Sequence, residues 1–408
     1  MAIEPKAGAS MRLARDGGLP ARTRPEHPMF PGGMEVGDEE LAALERVVRS
    51  RNLFRYYGVG DGPDEVAAFE REFAELFGAR HALCVNAGSS ALICGLIGAG
   101  VGAGDEVIVP AYTWNATPNA VIATGALPVL AEIDGSLTLD PADVEARVTP
   151  RTRAILPVHM RGAPADMGAL TALAQERGLV LVEDVCQAAG ASFEGRRLGT
   201  FGDAGAFSLQ FNKIITTGEG GVLITDRDDL YDLAIDVHDC AGPVRRGEGL
   251  PRFPGWNFRA SELTGAVARV QLRRLDGLLE RMRAAHRRLA AHASGLPGLT
   301  LRGATDDDGD AGIALIAFAE TAPLARVAVE ALQAEGVAAM QIYSPDVVDL
   351  HVYPYWKPIL ERIPPPHCPR TLDLLERAIH LDLSPLNDEQ DLAEIELALT
   401  KVATQVLD

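Results

Sequence analysis

Alternating strand-like and helix-like segments restrict the fold of this chain more than any other feature of its sequence. Between residues 81 and 225, short apolar runs that are typical of buried strands alternate with stretches whose apolar residues recur at helical spacing. Because strand–helix–strand units place successive strands parallel to one another, this order predicts an α/β domain with a mostly parallel sheet between helices. The predicted strands comprise residues 81–85, 106–109, 128–133, 154–158, 179–182, 204–209 and 221–225.

The segments on either side of this alternation predict the domain organisation. Residues 1–35 are rich in Arg, Pro and Gly and have no sustained apolar period, so we expect a flexible or draped N-terminal arm. Residues 36–260 form the predicted large domain, and residues 261–408 supply a long linking helix and a smaller α+β C-terminal domain. Further predicted elements are helices at 38–49, 63–77, 324–335 and 388–406 and a strand at 312–319.

Length, charge and cysteine content narrow the class of protein. A chain of 408 residues, 47% of them hydrophobic, can form two domains with a sizeable core. The formal net charge of −19 disfavours nucleic acid and anionic membrane surfaces as partners. No apolar run approaches the roughly 18 residues that span a bilayer, and the N-terminus lacks a secretory pattern, so we expect a cytoplasmic protein. The five cysteines are scattered, with neither zinc-ligand spacing nor a disulfide framework, and we expect no bound metal.

Lys213 is the first candidate for a catalytic residue, because it is one of only four lysines in a chain that otherwise uses arginine. It lies between the apolar run 204–209 and the glycine-rich turn 218–221. Unlike a guanidinium group, a lysine amine can lose its proton, and burial near another cation lowers its pKa so that it can form a Schiff base with a carbonyl. Taken alone, residue 213 is explained equally well as a solvated lysine at a strand end.

Asp184 is the second candidate, since it ends the apolar run 180–184, where the ligands of open α/β sheets bind. With Lys213 on the carbonyl of pyridoxal phosphate, an aspartate at this place would keep the pyridine nitrogen protonated and the ring an electron sink. Taken alone, an aspartate after a strand is more often a helix N-cap.

A series of short sequence blocks closely resembles the DegT/DnrJ/EryC1/StrS family of pyridoxal-phosphate sugar and aminocyclitol aminotransferases, which have fold type I. The resemblance extends from about residue 36 to the C-terminus and keeps the order of blocks found in the family. The blocks comprise residues 86–92 (NAGSSAL), 104–110 (GDEVIVP), 113–114 (TW), 183–187 (EDVCQ), 202–208 (GDAGAFS), 213 (K), 218–221 (GEGG) and 256–259 (WNFR).

Five positions match residues that contact the cofactor phosphate in the family. Gly88, Ser89 and Ser90 open the helix after the first core strand, where free N–H groups and hydroxyls can bind an anion or simply cap the helix. Ser208 resembles a further phosphate-binding hydroxyl. Asn257 resembles the asparagine that reaches the phosphate of the neighbouring subunit, which implies a homodimer with shared active sites.

Two further positions match residues that contact the cofactor ring. Trp114, or alternatively Tyr112, resembles the aromatic residue that stacks on the pyridine, although an isolated tryptophan is usually part of a core. Gln187 resembles the residue near the ring hydroxyl.

The substrate contacts are less constrained by the sequence. Tyr343 and His351 belong to a segment that resembles the part of the family lining the mouth of the active site. Tyr57 belongs to an aromatic loop at residues 52–60, which would either close over a substrate or pack its own side chains together.

Several arginines are candidates for binding an anion, because a guanidinium fork can hold a donor carboxylate or a sugar-nucleotide pyrophosphate. Each of them is equally explained as a surface charge. The candidates are Arg161, Arg245, Arg246 and Arg259.

The resemblance implies a ping-pong transamination, in which glutamate or glutamine gives nitrogen to the cofactor and a keto-sugar or keto-cyclitol receives it. Such reactions belong to amino-sugar and aminocyclitol biosynthesis, including that of antibiotics, and Lys213 would serve as both anchor and proton-transferring base. Dehydratases of the family carry histidine in place of this lysine, and a regulator without turnover would have lost a motif residue. A synthase that acts on aromatic precursors remains an alternative.

Overall fold

The computed structural model describes residues 11–59 and 64–407. The first ten residues of the predicted arm, the end of the aromatic loop at residue 60 and the predicted helix start at residue 63 lie outside the described residues, as does residue 408.

A seven-stranded sheet forms the centre of the large domain. Across the sheet, the strands lie in the order β1–β9–β8–β5–β4–β2–β3, and only β9 runs antiparallel to its neighbours, while β6 and β7 form a separate hairpin. The predicted α/β fold with a mostly parallel sheet is therefore confirmed. The strands are β1 (His81–Val85), β2 (Glu106–Pro110), β3 (Leu127–Ala131), β4 (Thr152–Ile155), β5 (Val180–Asp184), β6 (Ser192–Phe193), β7 (Arg196–Arg197), β8 (Ala204–Ser208) and β9 (Gly221–Thr225).

Helices connect these strands and cover the sheet. They are α1 (Asp38–Ser50), α2 (Glu65–Phe77), α3 (Gly88–Gly98), α4 (Ala116–Ala123), α5 (Pro141–Ala146), α6 (Met167–Arg177), α7 (Asp228–His238) and α8 (Gly242–Arg246). The apolar spacing of residues 113–124 predicts a helix that begins at residue 113. Helix α4 instead begins at residue 116, because the preceding backbone pairs with a distant segment. Thr113 N–H donates to the carbonyl of His351 at 2.9 Å, and Asn115 N–H donates to that of Leu350 at 3.1 Å. This pairing brings a C-terminal segment to the edge of the large sheet.

The long helix α9 (Glu262–Ala293) leads into the C-terminal part of the chain. A four-stranded antiparallel sheet lies there in the order β10–β11–β13–β12. Its strands are β10 (Thr300–Leu301), β11 (Ala314–Phe318), β12 (Ala339–Gln341) and β13 (Ala378–Asp382), and its helices are α10 (Ala322–Ala334), α11 (Lys357–Leu360), α12 (Pro369–Arg377) and α13 (Glu389–Val402). None of the helices within residues 11–59 and 64–407 combines the length and the apolar character needed to cross a lipid bilayer.

Residues 11–35, which we call the N-terminal strap, are held against the C-terminal domain, which corresponds to the draped one of the two alternatives that the sequence left open. Leu13 is buried in the apolar core of that domain. Arg22 is buried and pairs with the buried carboxylate of Asp391 at 2.7 Å. A second buried pair joins Lys401 of α13 to Glu335, which also accepts backbone hydrogen bonds from the strap. The strap is held in place because Arg22 meets its carboxylate partner only across this contact, and because Glu335 accepts the N–H groups of Ala14 and Ala21.

Candidate active site

The carboxyl ends of β1, β5 and β8 meet at one edge of the large sheet, where the surrounding loops enclose a cavity of about 450 Å³. Ligands of open α/β sheets bind at this edge. Nine of the residues that the sequence singled out line the cavity: Gly88, Ser89, Trp114, Arg161, Asp184, Gln187, Ser208, Lys213 and His351.

Lys213 presents its amine to this cavity. Its backbone is fixed by a hydrogen bond from its N–H to the carbonyl of Gln210 at 2.9 Å, and its own carbonyl accepts from Gly32 of the strap at 3.2 Å. Within the described part of the chain, no hydrogen bond holds Nζ. Burial lowers the pKa of Lys213, and the positive charge of Arg161 acts in the same direction, against the opposing effects of Cys186 and Asp184. The amine therefore loses its proton more readily than an exposed lysine does.

Asp184 lies at the end of β5, where both of its carboxylate oxygens accept hydrogen bonds. Oδ2 accepts from the hydroxyl of Thr117 at 2.8 Å, and Oδ1 accepts from the N–H of Cys186 at 3.1 Å. The hydroxyl of Thr113 lies 2.8 Å from that of Thr117 and extends the network. The carboxylate is thus buried and oriented, as an ion pair with a cationic ring nitrogen requires. It does not cap a helix.

Thr117 and Glu183 contribute to the site, although the sequence did not single out either side chain. Thr117 lies in the first turn of α4, and its role depends on the fold, which brings that turn within hydrogen-bond distance of Asp184 at the end of β5. Glu183 is fully buried and accepts from the backbone N–H groups of Gly199, Phe201 and Gly202 at 2.7–2.9 Å. It therefore holds the loop before β8 and leaves the cavity to Asp184.

The start of α3 forms an anion-binding end of the cavity. Gly88 and Ser89 line the cavity, the first turn of the helix contains no acidic residue, and the hydroxyl of Ser208 lies on the same side. A Cβ atom at residue 88 would lie 2.8 Å from the Cβ of Ser208 and 2.9 Å from Sγ of Cys186, so only glycine fits there. Ser90 points elsewhere, because its hydroxyl donates to Oδ1 of Asn86 at 2.7 Å.

Of the two aromatic residues that could stack on the cofactor ring, only one lies in the wall of the cavity. Trp114 lines the cavity with its ring 4.9 Å from that of His351, whereas Tyr112 is buried in the core. Gln187 lines the cavity and accepts the backbone N–H of Arg161 on Oε1 at 3.1 Å. Burial lowers the pKa of His351. Nδ1 of its ring lies 2.7 Å from Oδ1 of Asp349.

Three predicted substrate contacts do not reach this cavity. Tyr57 is 71% exposed and packs against Phe54 with ring centroids 4.7 Å apart, as expected for a loop that packs its own aromatics. Tyr343 is buried in the core and packs against Tyr355. Arg245 forms an ion pair with the buried carboxylate of Asp239. Within a single chain, each of these three residues is already engaged elsewhere, and their contact with the substrate stays a prediction.

Asn257 is exposed and lies outside the lining of its own chain's cavity. Its carbonyl accepts from Nδ2 of Asn86 at 3.4 Å, which leaves its side chain amide at the surface. Its predicted contact with the phosphate of a neighbouring subunit stays a prediction.

Taken together, the residues of the cavity fit pyridoxal phosphate. An anion-binding helix start, an oriented carboxylate, an aromatic wall and an unbonded amine are the four groups that a phosphorylated cationic ring with a reactive carbonyl requires. Within residues 11–59 and 64–407, no cluster of three or more His, Cys, Asp or Glu side chains is arranged to hold a metal ion.

Comparison with known proteins identifies related sequences and structures. The sequence profile of the DegT/DnrJ/EryC1/StrS aminotransferase family matches residues 35–400. The chain is 40% identical to the putative L-glutamine:3-amino-2,3-dideoxy-scyllo-inosose aminotransferase of Streptoalloteichus tenebrarius, over 65% of this chain and 63% of that protein. It is also 40% identical to the L-glutamine:2-deoxy-scyllo-inosose aminotransferase of Streptomyces kanamyceticus, over 65% of this chain and 64% of that protein. The alignment therefore spans less than two thirds of the length of either relative.

The structural comparison covers more of the chain. The crystal structure of S. venezuelae DesV in complex with a ketimine intermediate matches with a TM-score of 0.81 and 34% identity, over 94% of this chain and all of that one.

Proposed function

This chain belongs to the DegT/DnrJ/EryC1/StrS aminotransferase family, whose cofactor is pyridoxal phosphate, and we propose that it transfers an amino group from L-glutamine or L-glutamate to a ketone on a polyhydroxylated ring. The observation that carries this proposal is the unbonded amine of Lys213, which shares one cavity with the oriented carboxylate of Asp184. Amino-sugar or aminocyclitol biosynthesis, including that of antibiotics, is the proposed setting.

Each residue of the cavity has a role in the proposed reaction. When bound, the cofactor supplies an electrophilic carbonyl and a conjugated ring that stabilises negative charge on the substrate carbon. Lys213, with its lowered pKa, anchors the cofactor and moves the proton that leaves the substrate carbon. Asp184, held by Thr117, keeps the proton on the ring nitrogen. Gly88, Ser89 and Ser208 bind the phosphate, Gln187 lies at the ring hydroxyl, and Trp114 forms an aromatic wall.

The charges of the cavity favour an uncharged keto-cyclitol over a keto-sugar nucleotide as the acceptor. Among the described residues that line it, only Lys213 carries an amine and only Arg161 carries a guanidinium group. Glu219 adds a negative charge. A pyrophosphate would need cations of its own beyond those two. The two relatives named for scyllo-inosose derivatives support the same choice.

A homodimer with shared active sites is part of this proposal. The exposed position of Asn257, outside the cavity of its own chain, supports a contact with the cofactor of a partner subunit. The cysteines, all five of them free, support a reducing compartment such as the cytoplasm.

The proposal is tested with the purified protein, pyridoxal phosphate and either L-glutamine or L-glutamate as the donor. A panel of keto-cyclitols, keto-sugar nucleotides and aromatic keto acids is offered, and amination is detected by mass spectrometry. We expect a keto-cyclitol to be aminated. Conversion of aromatic keto acids alone would show an aromatic-precursor synthase, and conversion of nucleotide-linked sugars alone would refute the cyclitol assignment.

The role of Lys213 is tested by reducing the loaded enzyme with borohydride and mapping the peptide that retains the cofactor. We expect the label on the peptide containing residue 213, and Lys213→Ala to lose both label and turnover. Lys357→Ala, which removes an exposed lysine, is the matched control. A label that survives Lys213→Ala would refute the assignment.

A further inference from the structure

Arg161 has an unusual backbone at the edge of the active-site cavity. With φ 53° and ψ 38°, it adopts the left-handed backbone conformation that residues other than glycine rarely take. Such a conformation is strained and persists only where the surroundings hold it. The side-chain amide oxygen of Gln187, which accepts the N–H of Arg161 at 3.1 Å, is part of that hold. The strained backbone places the Arg161 side chain among the residues that line the cavity.

The guanidinium of Arg161 is largely removed from water but weakly paired. The side chain is 13% exposed, and its Nε–H group donates to the hydroxyl of Tyr112 at the long distance of 3.5 Å. Within the described part of the chain, its nearest carboxylate oxygen is Oδ1 of Asp382, 3.9 Å from Nη1 and beyond hydrogen-bond distance. A guanidinium has five N–H donors, so most of the hydrogen-bonding capacity of Arg161 remains for an incoming anion.

The other three candidate arginines differ from Arg161 because they are paired with carboxylates and lie outside the cavity lining. Arg245 and Arg259 share the carboxylate of Asp239, with Arg259 Nη1 at 2.6 Å from it, and Arg246 donates to Glu248 at 2.7 Å. None of them lines the cavity. Only Arg161 is therefore placed to bind an anion beside Lys213.

The position of Arg161 indicates which anion it binds. It lines the same cavity as Lys213, so an anion bound by its guanidinium lies on the same side of the sheet as the reactive amine. The α-carboxylate of an amino acid is bonded directly to the carbon that carries the transferred nitrogen. In a sugar nucleotide, by contrast, the sugar ring separates the pyrophosphate from the ketone, and a keto-cyclitol carries no anion at all.

We propose that Arg161 binds the α-carboxylate of the amino-acid donor and so selects amino acids for the first half of the reaction. This assignment rests on the proposed function. The planar fork of the guanidinium matches a carboxylate bidentately, and the cavity protects this pair from competing water. The acceptor half of the reaction makes no use of this contact.

The test compares Arg161→Gln and Arg161→Gly with the wild-type holoenzyme. Glycine adopts the left-handed backbone without strain, so Arg161→Gly removes the guanidinium while favouring the native loop. Arg246→Gln, which removes a guanidinium outside the cavity, is the matched control. The change in cofactor absorbance on adding L-glutamine or L-glutamine α-amide gives the apparent dissociation constant of each donor, and cofactor affinity is measured separately by fluorescence titration.

We expect both Arg161 variants to bind L-glutamine about 10- to 100-fold more weakly, as expected for the loss of a charged hydrogen-bonded pair. The preference of the wild type for L-glutamine over its α-amide should fall by the same factor, while cofactor affinity stays within about twofold. Unchanged donor affinity, or a preference that persists, would overturn the proposal. A parallel loss of cofactor affinity would also overturn it, by assigning Arg161 to the cofactor. If the wild type itself reacts with no amino acid, the proposed function fails instead.

Discussion

Replacing Glu335 by glutamine should release the N-terminal strap from the C-terminal domain. Glu335 is fully buried, and its two carboxylate oxygens accept the N–H groups of Ala14 at 2.7 Å and Ala21 at 2.8 Å. It also pairs with Lys401, which is 1% exposed and donates to the carbonyl of Leu19 at 2.8 Å. A glutamine can accept from only one of the two amides, since its NH2 group is a donor, and it leaves Lys401 without a counter-charge.

The expected magnitude follows from that geometry. Removing one partner of a buried ion pair costs about 3–5 kcal/mol, because the remaining charge stays out of water. The strap makes these contacts through few residues, so the loss should appear as local opening of the strap before the domain unfolds. Hydrogen exchange at the amides of Ala14 and Ala21 should then be at least roughly 100-fold faster, as 1.4 kcal/mol corresponds to a factor of ten.

Hydrogen exchange followed by mass spectrometry measures this effect on the peptide that contains residues 11–24. Glu389→Gln is the control, because the Glu389 side chain is 83% exposed and its pair with Arg288 should contribute less than about 1 kcal/mol. Unchanged exchange at Ala14 and Ala21 in Glu335→Gln would refute the reasoning. Since Met29 and Pro31 line the cavity, we also expect the released strap to weaken substrate binding.

Three further predictions concern the active site. Asp184→Asn should weaken cofactor binding modestly and lower turnover by more than about 100-fold, equivalent to about 3 kcal/mol; steady-state kinetics showing near-normal turnover would place the electron-sink role elsewhere. Thr117→Val removes the 2.8 Å hydrogen bond to Asp184 and should lower turnover about tenfold, an effect that should vanish in the Asp184→Asn background. In a mixed dimer of Asn257→Asp and Lys213→Ala chains, shared sites would leave one intact site and about half of the wild-type activity, whereas no activity would show that Asn257 serves its own chain.

Much of the fold was predictable because its signals are local. The apolar runs at β5 and β8 and the helical spacing of α1 and α6 lie within single segments, and the strand–helix order implies a parallel sheet whatever the packing details. The boundaries were less predictable. Helix α4 starts three residues later than its apolar pattern indicates, since the backbone of Thr113 and Asn115 pairs with residues more than 200 positions away along the chain.

The sequence by itself determined the candidates for the central chemistry of this protein. Lys213, Asp184 and Gly88 could be named without coordinates, because each has a residue type that the chemistry requires and lies in a block that resembles the family. The partners of the remaining charges were decided only by the tertiary structure. Nothing in the sequence distinguishes Arg161 from Arg245 as a candidate. In the folded chain, Arg245 forms an ion pair with Asp239, whereas Arg161 lies beside the cavity with no close carboxylate among the described residues. The strap is ordered for the same reason, because Arg22 meets Asp391 across 369 positions of the chain, and only the completed packing brings such distant charges together in a place without water.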